Sequence, residues 1–152
     1  MTAPHTGPAL AAPDLDAAVS ALRARGLRVS SARRLVLESL YAAGEPLLAE
    51  RIAGGLEGRF PISDLASVYR NLETLEELGL VRHFHLGHGP SLYAPAGEER
   101  EYLLCESCHK LRAVDPSELD GVRELIRKEL GFRARFTHFP IVGICPVCEE
   151  RA

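Results

Sequence analysis

The chain has 152 residues, 46% of them hydrophobic and 26% charged, with a net charge of −3 at pH 7. That length allows one domain or two small ones, and no apolar run approaches the roughly 20 residues that a membrane-crossing helix needs. Mild acidity excludes nucleic-acid binding through bulk charge, so such a role requires a local basic patch.

Met1 to Pro13 is rich in Ala, Pro and Thr and has no apolar h-region, so residues 1–13 read as a disordered leader rather than a signal. A cytoplasmic location follows as the expectation, where thiols stay reduced. Leu15, Ala18, Val19 and Leu22 fall at i, i+3, i+4 and i+7 and predict a helix over about Asp14 to Arg25, ended by Gly26. Arg23, Arg25, Arg28, Arg33 and Arg34 then crowd residues 22–34 without an acid. Such a run suits a phosphate-facing patch, or else a solvated helix face. Ser30 or Ser31 can cap a second helix with Leu35, Val36 and Leu40 inside, and Leu48, Ile52, Ala53 and Leu56 predict a short third.

Ser63 is the expected cap of a longer fourth helix, about Asp64 to Leu78. Its inner stripe is Leu65, Val68, Leu72 and Leu75. Ala66, Ser67, Arg70 and Thr74 face away, with Tyr69 on the flank. Leu80 to Leu86 and Ser91 to Ala94 flank the turn Gly87-His88-Gly89-Pro90 and predict a hairpin. Three helices, a longer fourth and a hairpin is the order of a winged helix-turn-helix, whose last helix enters the major groove. Small residues at Ala66 and Ser67 let that backbone approach DNA. Arg70 can reach a guanine edge or a phosphate, and Tyr69 can pack on a thymine methyl or bond a phosphate.

Pro95-Ala96-Gly97 marks a hinge. The expected division is a winged-helix domain over residues 14–94, a hinge over 95–98 and a small α/β domain over 99–152. In the last, Glu101 to Leu104 and Lys110 to Val114 flank a first cysteine pair. Asp115, Pro116 and Glu118 start a helix carrying Leu119, Val122, Ile126 and Leu130. Phe132, Ala134, Phe136 and His138 alternate as a strand, and Ile141 to Ile144 leads to a second cysteine pair. The pairs are Cys105-Glu106-Ser107-Cys108 and Cys145-Pro146-Val147-Cys148, and they hold all 4 cysteines of the chain. Two such knuckles fit one tetrahedral zinc held by four thiolates. A dithiol redox pair or two disulfides are the alternatives; neither pair opens an apolar-periodic helix, and no signal peptide supports a secreted disulfide domain. No catalytic triad, phosphate loop or paired acids in a cleft is evident, so the chain does not read as an enzyme and needs no small-molecule substrate.

Gly26-Leu27-Arg28-Val29-Ser30 followed by Arg33 and Arg34, Ala66-Ser67-Val68-Tyr69-Arg70-Asn71-Leu72, Gly79-Leu80-Val81 and the two knuckles together resemble the ferric uptake regulator family over about residues 15–150. The resemblance implies an α+β fold, with an N-terminal winged helix-turn-helix and a C-terminal α/β dimerisation domain bearing the zinc site. It implies a homodimeric, metal-responsive repressor on an inverted-repeat duplex operator. Arg28 matches a basic residue that reaches a minor groove, while Tyr69 and Arg70 match the pair that contacts bases and phosphates. A second metal would switch DNA affinity, but Arg100 and Tyr102 stand where that family usually places ligand histidines, and Tyr93 where an acid is common. Glu99, Glu101, Asp120 and His138 lie at or near the family's inter-element site and form one substitute set. His83, His85 and His88 form another, since i and i+2 share a strand face. Such donors do not choose among Fe²⁺, Mn²⁺, Zn²⁺ and Ni²⁺. A peroxide sensor or a metal-independent regulator of the same family remains the alternative.

Overall fold

Asp14 starts the first helix by accepting the Ala17 N–H on its carboxylate at 2.7 Å, which satisfies one of the donors left over at a helix N-terminus. The computed structural model describes residues 9–85, 89–97, 100–136 and 140–152. Helix α1 is Leu15–Ala24, α2 Ser31–Ala43, α3 Ala49–Ala53 and α4 Leu65–Glu77. Strands β1 (Val81–His85) and β2 (Ser91–Pro95) form a two-stranded sheet. Leu47 adds an antiparallel bridge to Tyr93 through two 2.8 Å backbone hydrogen bonds. Ser30 is the cap of α2. The cap of α4 is Asp64, one residue beyond the expected Ser63, because its carboxylate takes the Ser67 N–H at 2.9 Å.

The chain folds as two compact units: unit 2 takes Phe84, His85 and Gly89 together with the described residues from Arg100 onward, and unit 1 takes the other described residues, Pro90 to Gly97 included. Unit 1 is built on fully buried leucines, among them Leu22, Leu37, Leu40, Leu72 and Leu75. At about 1.5–3 kcal/mol for each such side chain removed from water, this stripe-to-stripe packing of α1, α2 and α4 is what holds the helices. The third helix departs from expectation. It stops at Ala53, and Gly55–Gly58 makes one left-handed turn with Leu56 at φ 50° and Glu57 at φ 55°. Leu56 reaches the core this way at 1% exposure. A Cβ on Gly55 would stand 2.2 Å from the Phe60 carbonyl oxygen, so the reversal needs a glycine there. The stretch expected as a disordered leader is packed over its described end: Ala12 is buried and Leu10 N–H donates to Leu78 O at 2.9 Å.

Unit 2 holds a three-stranded sheet of order β4-β3-β5, with β3 Glu101–Cys105, β4 Leu111–Val114 and β5 Ile141–Gly143. β3 pairs antiparallel with β4 and parallel with β5. Asp115 and Glu118 make the expected capping box, but the turn it opens, Pro116–Leu119, is a 3-10 turn before helix α5, Asp120–Leu130. The predicted strand over 132–138 is not found in its described part. Residues 131–136 carry no strand, and Phe132, expected on the buried face, is 73% exposed. Cys145 stands just ahead of a five-residue helix α6, Pro146–Glu150, without a side-chain cap hydrogen bond, and the sequence pattern did not indicate that helix. Among the described residues no helix is long and apolar enough to cross a membrane.

Candidate nucleic-acid interface and metal centre

Helix α4 buries Val68, Leu72 and Leu75 and turns Ala66, Tyr69 and Arg70 outward. Tyr69 is 42% exposed, and its hydroxyl donates to the Glu50 carboxylate on α3 at 3.1 Å. That hydrogen bond, then burial, raises the phenol above its ordinary pKa. Ser67 lends its N–H to the Asp64 cap and its carbonyl to the Asn71 amide at 2.9 Å. Ile62, two residues ahead of that cap, is 83% exposed.

The arginines expected at DNA divide by role. Arg28 is exposed. Arg34 pairs with Glu38 one turn on, at 2.8 Å. Arg33 is bound to protein: Nη1 donates to the Arg28 carbonyl at 3.1 Å and Nε to Asn71 Oδ1 at 3.2 Å. It therefore ties the Arg28 turn to the reading helix, a role that the charge pattern alone could not reveal.

The four cysteines come together. Their sulfurs all lie within 4.8 Å of one another, with Cys108 Sγ and Cys145 Sγ 3.8 Å apart. Zinc–sulfur bonds of about 2.3 Å require a tetrahedral edge of about 3.8 Å, so the cage fits zinc. Cys145 N–H points to Cys105 Sγ at 3.3 Å. Backbone N–H groups of Cys108, Cys145 and Ser107 hold the Cys105 thiol down at about 6, which favours the thiolate a metal needs. At Cys148 the Ser107 hydroxyl works downward, but the sulfurs of Cys145 and Cys108, with burial, outweigh it and push the thiol up to about 12. Four thiolates this close need a cation, and a bound zinc supplies the charge that lets all of them ionise. The sulfurs are not bonded to each other, and both knuckles share one cluster, unlike an isolated redox dithiol.

The two substitute metal sets are assembled differently. In the first, Glu101 and Asp120 are joined through Arg123, while Glu99 and His138 lie outside the described residues. In the second, the His83 Nδ1 contacts the Glu76 carboxylate of α4, His85 is half-buried at the end of β1, and His88 lies outside the described residues. Among the described residues the cysteines are the only group of three or more His, Cys, Asp or Glu side chains whose ligand atoms lie within reach of one ion. Tyr93 is raised above its ordinary pKa by burial first, then by Tyr69 and the carboxylates of Glu76, Glu50 and Glu73. It stays a neutral phenol, a poor cation ligand.

The ferric uptake regulator family profile matches residues 24–139. The peroxide operon regulator of Bacillus subtilis is 30% identical over 142 residues, covering 93% of this chain and 98% of that one. Among solved structures, the Helicobacter pylori ferric uptake regulator superposes with a TM-score of 0.66 at 23% identity, covering 89% of this chain and 91% of that chain. The Vibrio cholerae ferric uptake regulator gives 0.65 at 23% identity, covering 83% and 98%. With the reading helix, the wing and the four-thiolate cage in one chain, the protein belongs to the ferric uptake regulator family.

Proposed function

We propose that the protein is a metal-responsive transcriptional repressor that binds an inverted-repeat duplex operator as a homodimer; it is a regulator, not an enzyme. The observation that carries this is the outward face of α4, where Tyr69 and Arg70 stand exposed beside the buried Val68 and Leu72. Arg70 addresses a base edge or a phosphate, Tyr69 and Ser67 the groove wall, and Arg28 the flanking minor groove. Arg34 adds phosphate contact, and Arg33 positions the set. Two-fold protein symmetry asks for two-fold DNA symmetry. The dimer has physical support in unit 2. Helix α5 has no buried residue, and Val122, Leu125 and Leu130 on it are exposed at 44%, 59% and 69%. A second copy would cover that surface.

Metal acts by differential affinity, binding the DNA-competent state more tightly than the other. Peroxide is the alternative input, favoured by the Bacillus subtilis relative named as a peroxide operon regulator. The test starts from a random duplex pool. The zinc-loaded protein should select an inverted repeat, and Arg70→Ala should weaken binding to it at least tenfold while the dimer persists. No selected sequence, or an unchanged affinity of Arg70→Ala, contradicts the proposal. A chelator that spares the thiolate zinc, or added peroxide, then names the input by which one lowers affinity.

A further inference from the structure

Oxygen atoms of three residues converge within unit 2. Glu101 opens β3 and is 5% exposed, although it is a carboxylate. Asp120 opens α5, and the Pro116 carbonyl comes from the 3-10 turn just before it. Two carboxylates and a backbone carbonyl are the donor set of a hard divalent cation. A buried carboxylate with no cation beside it would also be strongly destabilising.

The cation is already present in the sequence. Arg123, one turn into α5, places Nη1 at 2.7 and 2.8 Å from the two Glu101 oxygens. Its Nη2 lies 3.0 Å from Asp120 Oδ1 and also donates to the Pro116 carbonyl. The Phe136 ring covers the guanidinium, with its centroid 5.8 Å from the central carbon. The charge of Glu101 is matched within the fold, and the one remaining negative charge falls on Asp120, whose side chain is 72% exposed and solvated. A divalent ion entering here would have to displace the guanidinium from all three acceptors.

We infer that Arg123 is a built-in cation for this joint: it takes the place of a divalent ion between β3 and α5 and keeps the joint closed whatever the metal supply. The inference goes beyond the proposed function and does not depend on DNA binding. It directs any metal response of the protein to other residues. The sequence signal was an arginine three residues after Asp120, on the same helix face.

Mn²⁺ binding to the zinc-loaded full-length chain, counted by electron paramagnetic resonance, tests it without any operator. Wild type and Asp120→Asn should take up the same number of Mn²⁺ ions. Arg123→Gln should take up one more per chain, and Arg123→Gln/Asp120→Asn should lose that extra ion. A wild-type ion that Asp120→Asn abolishes overturns the inference, as does a folded Arg123→Gln protein that gains none. If Arg123→Gln fails to fold, the comparison of wild type with Asp120→Asn decides alone.

Discussion

Arg33 sits in a basic run that reads as phosphate-facing, yet its guanidinium hydrogen-bonds the Arg28 carbonyl and Asn71. A strut and a phosphate contact differ in measurable ways. As a strut, Arg33→Ala and Asn71→Ala should each weaken operator binding by about 1 kcal/mol, with a double mutant little worse than either single one. The salt dependence should stay that of wild type. A phosphate contact would give additive losses and a salt slope smaller by about 1. Binding isotherms at several salt concentrations separate the two. His109 is a second residue whose role is local: it follows the first knuckle with φ at 61°, the left-handed region where a Cβ is strained. Its N–H still closes the turn on Cys105 O at 2.8 Å. His109→Gly should therefore stabilise the zinc-loaded protein by about 1 kcal/mol in urea unfolding, with zinc retained. The identity of the thiolate cage was legible because four cysteines in two tight pairs have few other uses. The engagement of Tyr69 by Glu50 and of Glu101 by Arg123 was not legible, since both link side chains far apart in sequence.

At the scale of elements, apolar spacing located α1, α2 and α4 within a residue or two, because each buries a stripe against the same core. It failed where the partner of a face is not in the same stretch. Leu56 sits at a helical position, but Gly55, at φ 79°, lets the chain reverse, and the leucine is buried by a left-handed turn instead. Phe132, Ala134 and Phe136 alternate like a strand, yet a strand needs a neighbour for its backbone groups, and residues 131–136 have no ladder partner among the described residues. The capping box ahead of α5 was readable from three residues, and it makes a pH prediction. The Ser117 hydroxyl, then its backbone N–H, holds the Asp115 carboxyl below its ordinary value. A depressed folded pKa gives stability that is present above the unfolded value of about 3.9 and is lost as pH falls through the lower, folded one. Asp115→Ala should lower the melting temperature at neutral pH, and the gap to wild type should shrink below about pH 4. A gap that is constant down to pH 2 would contradict this assignment.

For the whole molecule, the chain divides its work between two units. Unit 1 has a dense core and an outward reading helix, while unit 2 is small, carries exposed apolar residues on α5 and α6, and relies on a metal cage. Val142, Ile144 and Val147 line a cavity of about 770 Å³ beside the cysteines. A domain this small gains stability from zinc and, in the proposed dimer, would gain more from a second copy. Cys105→Ser should consequently release zinc and lower the melting temperature or dissociate the dimer; a variant that keeps both zinc and stability would contradict the structural role. The most direct measurement is native mass spectrometry of the protein on its selected duplex. The expected complex holds two chains, two tightly bound zinc ions and one duplex. A complex with a single chain, or a stable two-chain complex without zinc, would contradict it.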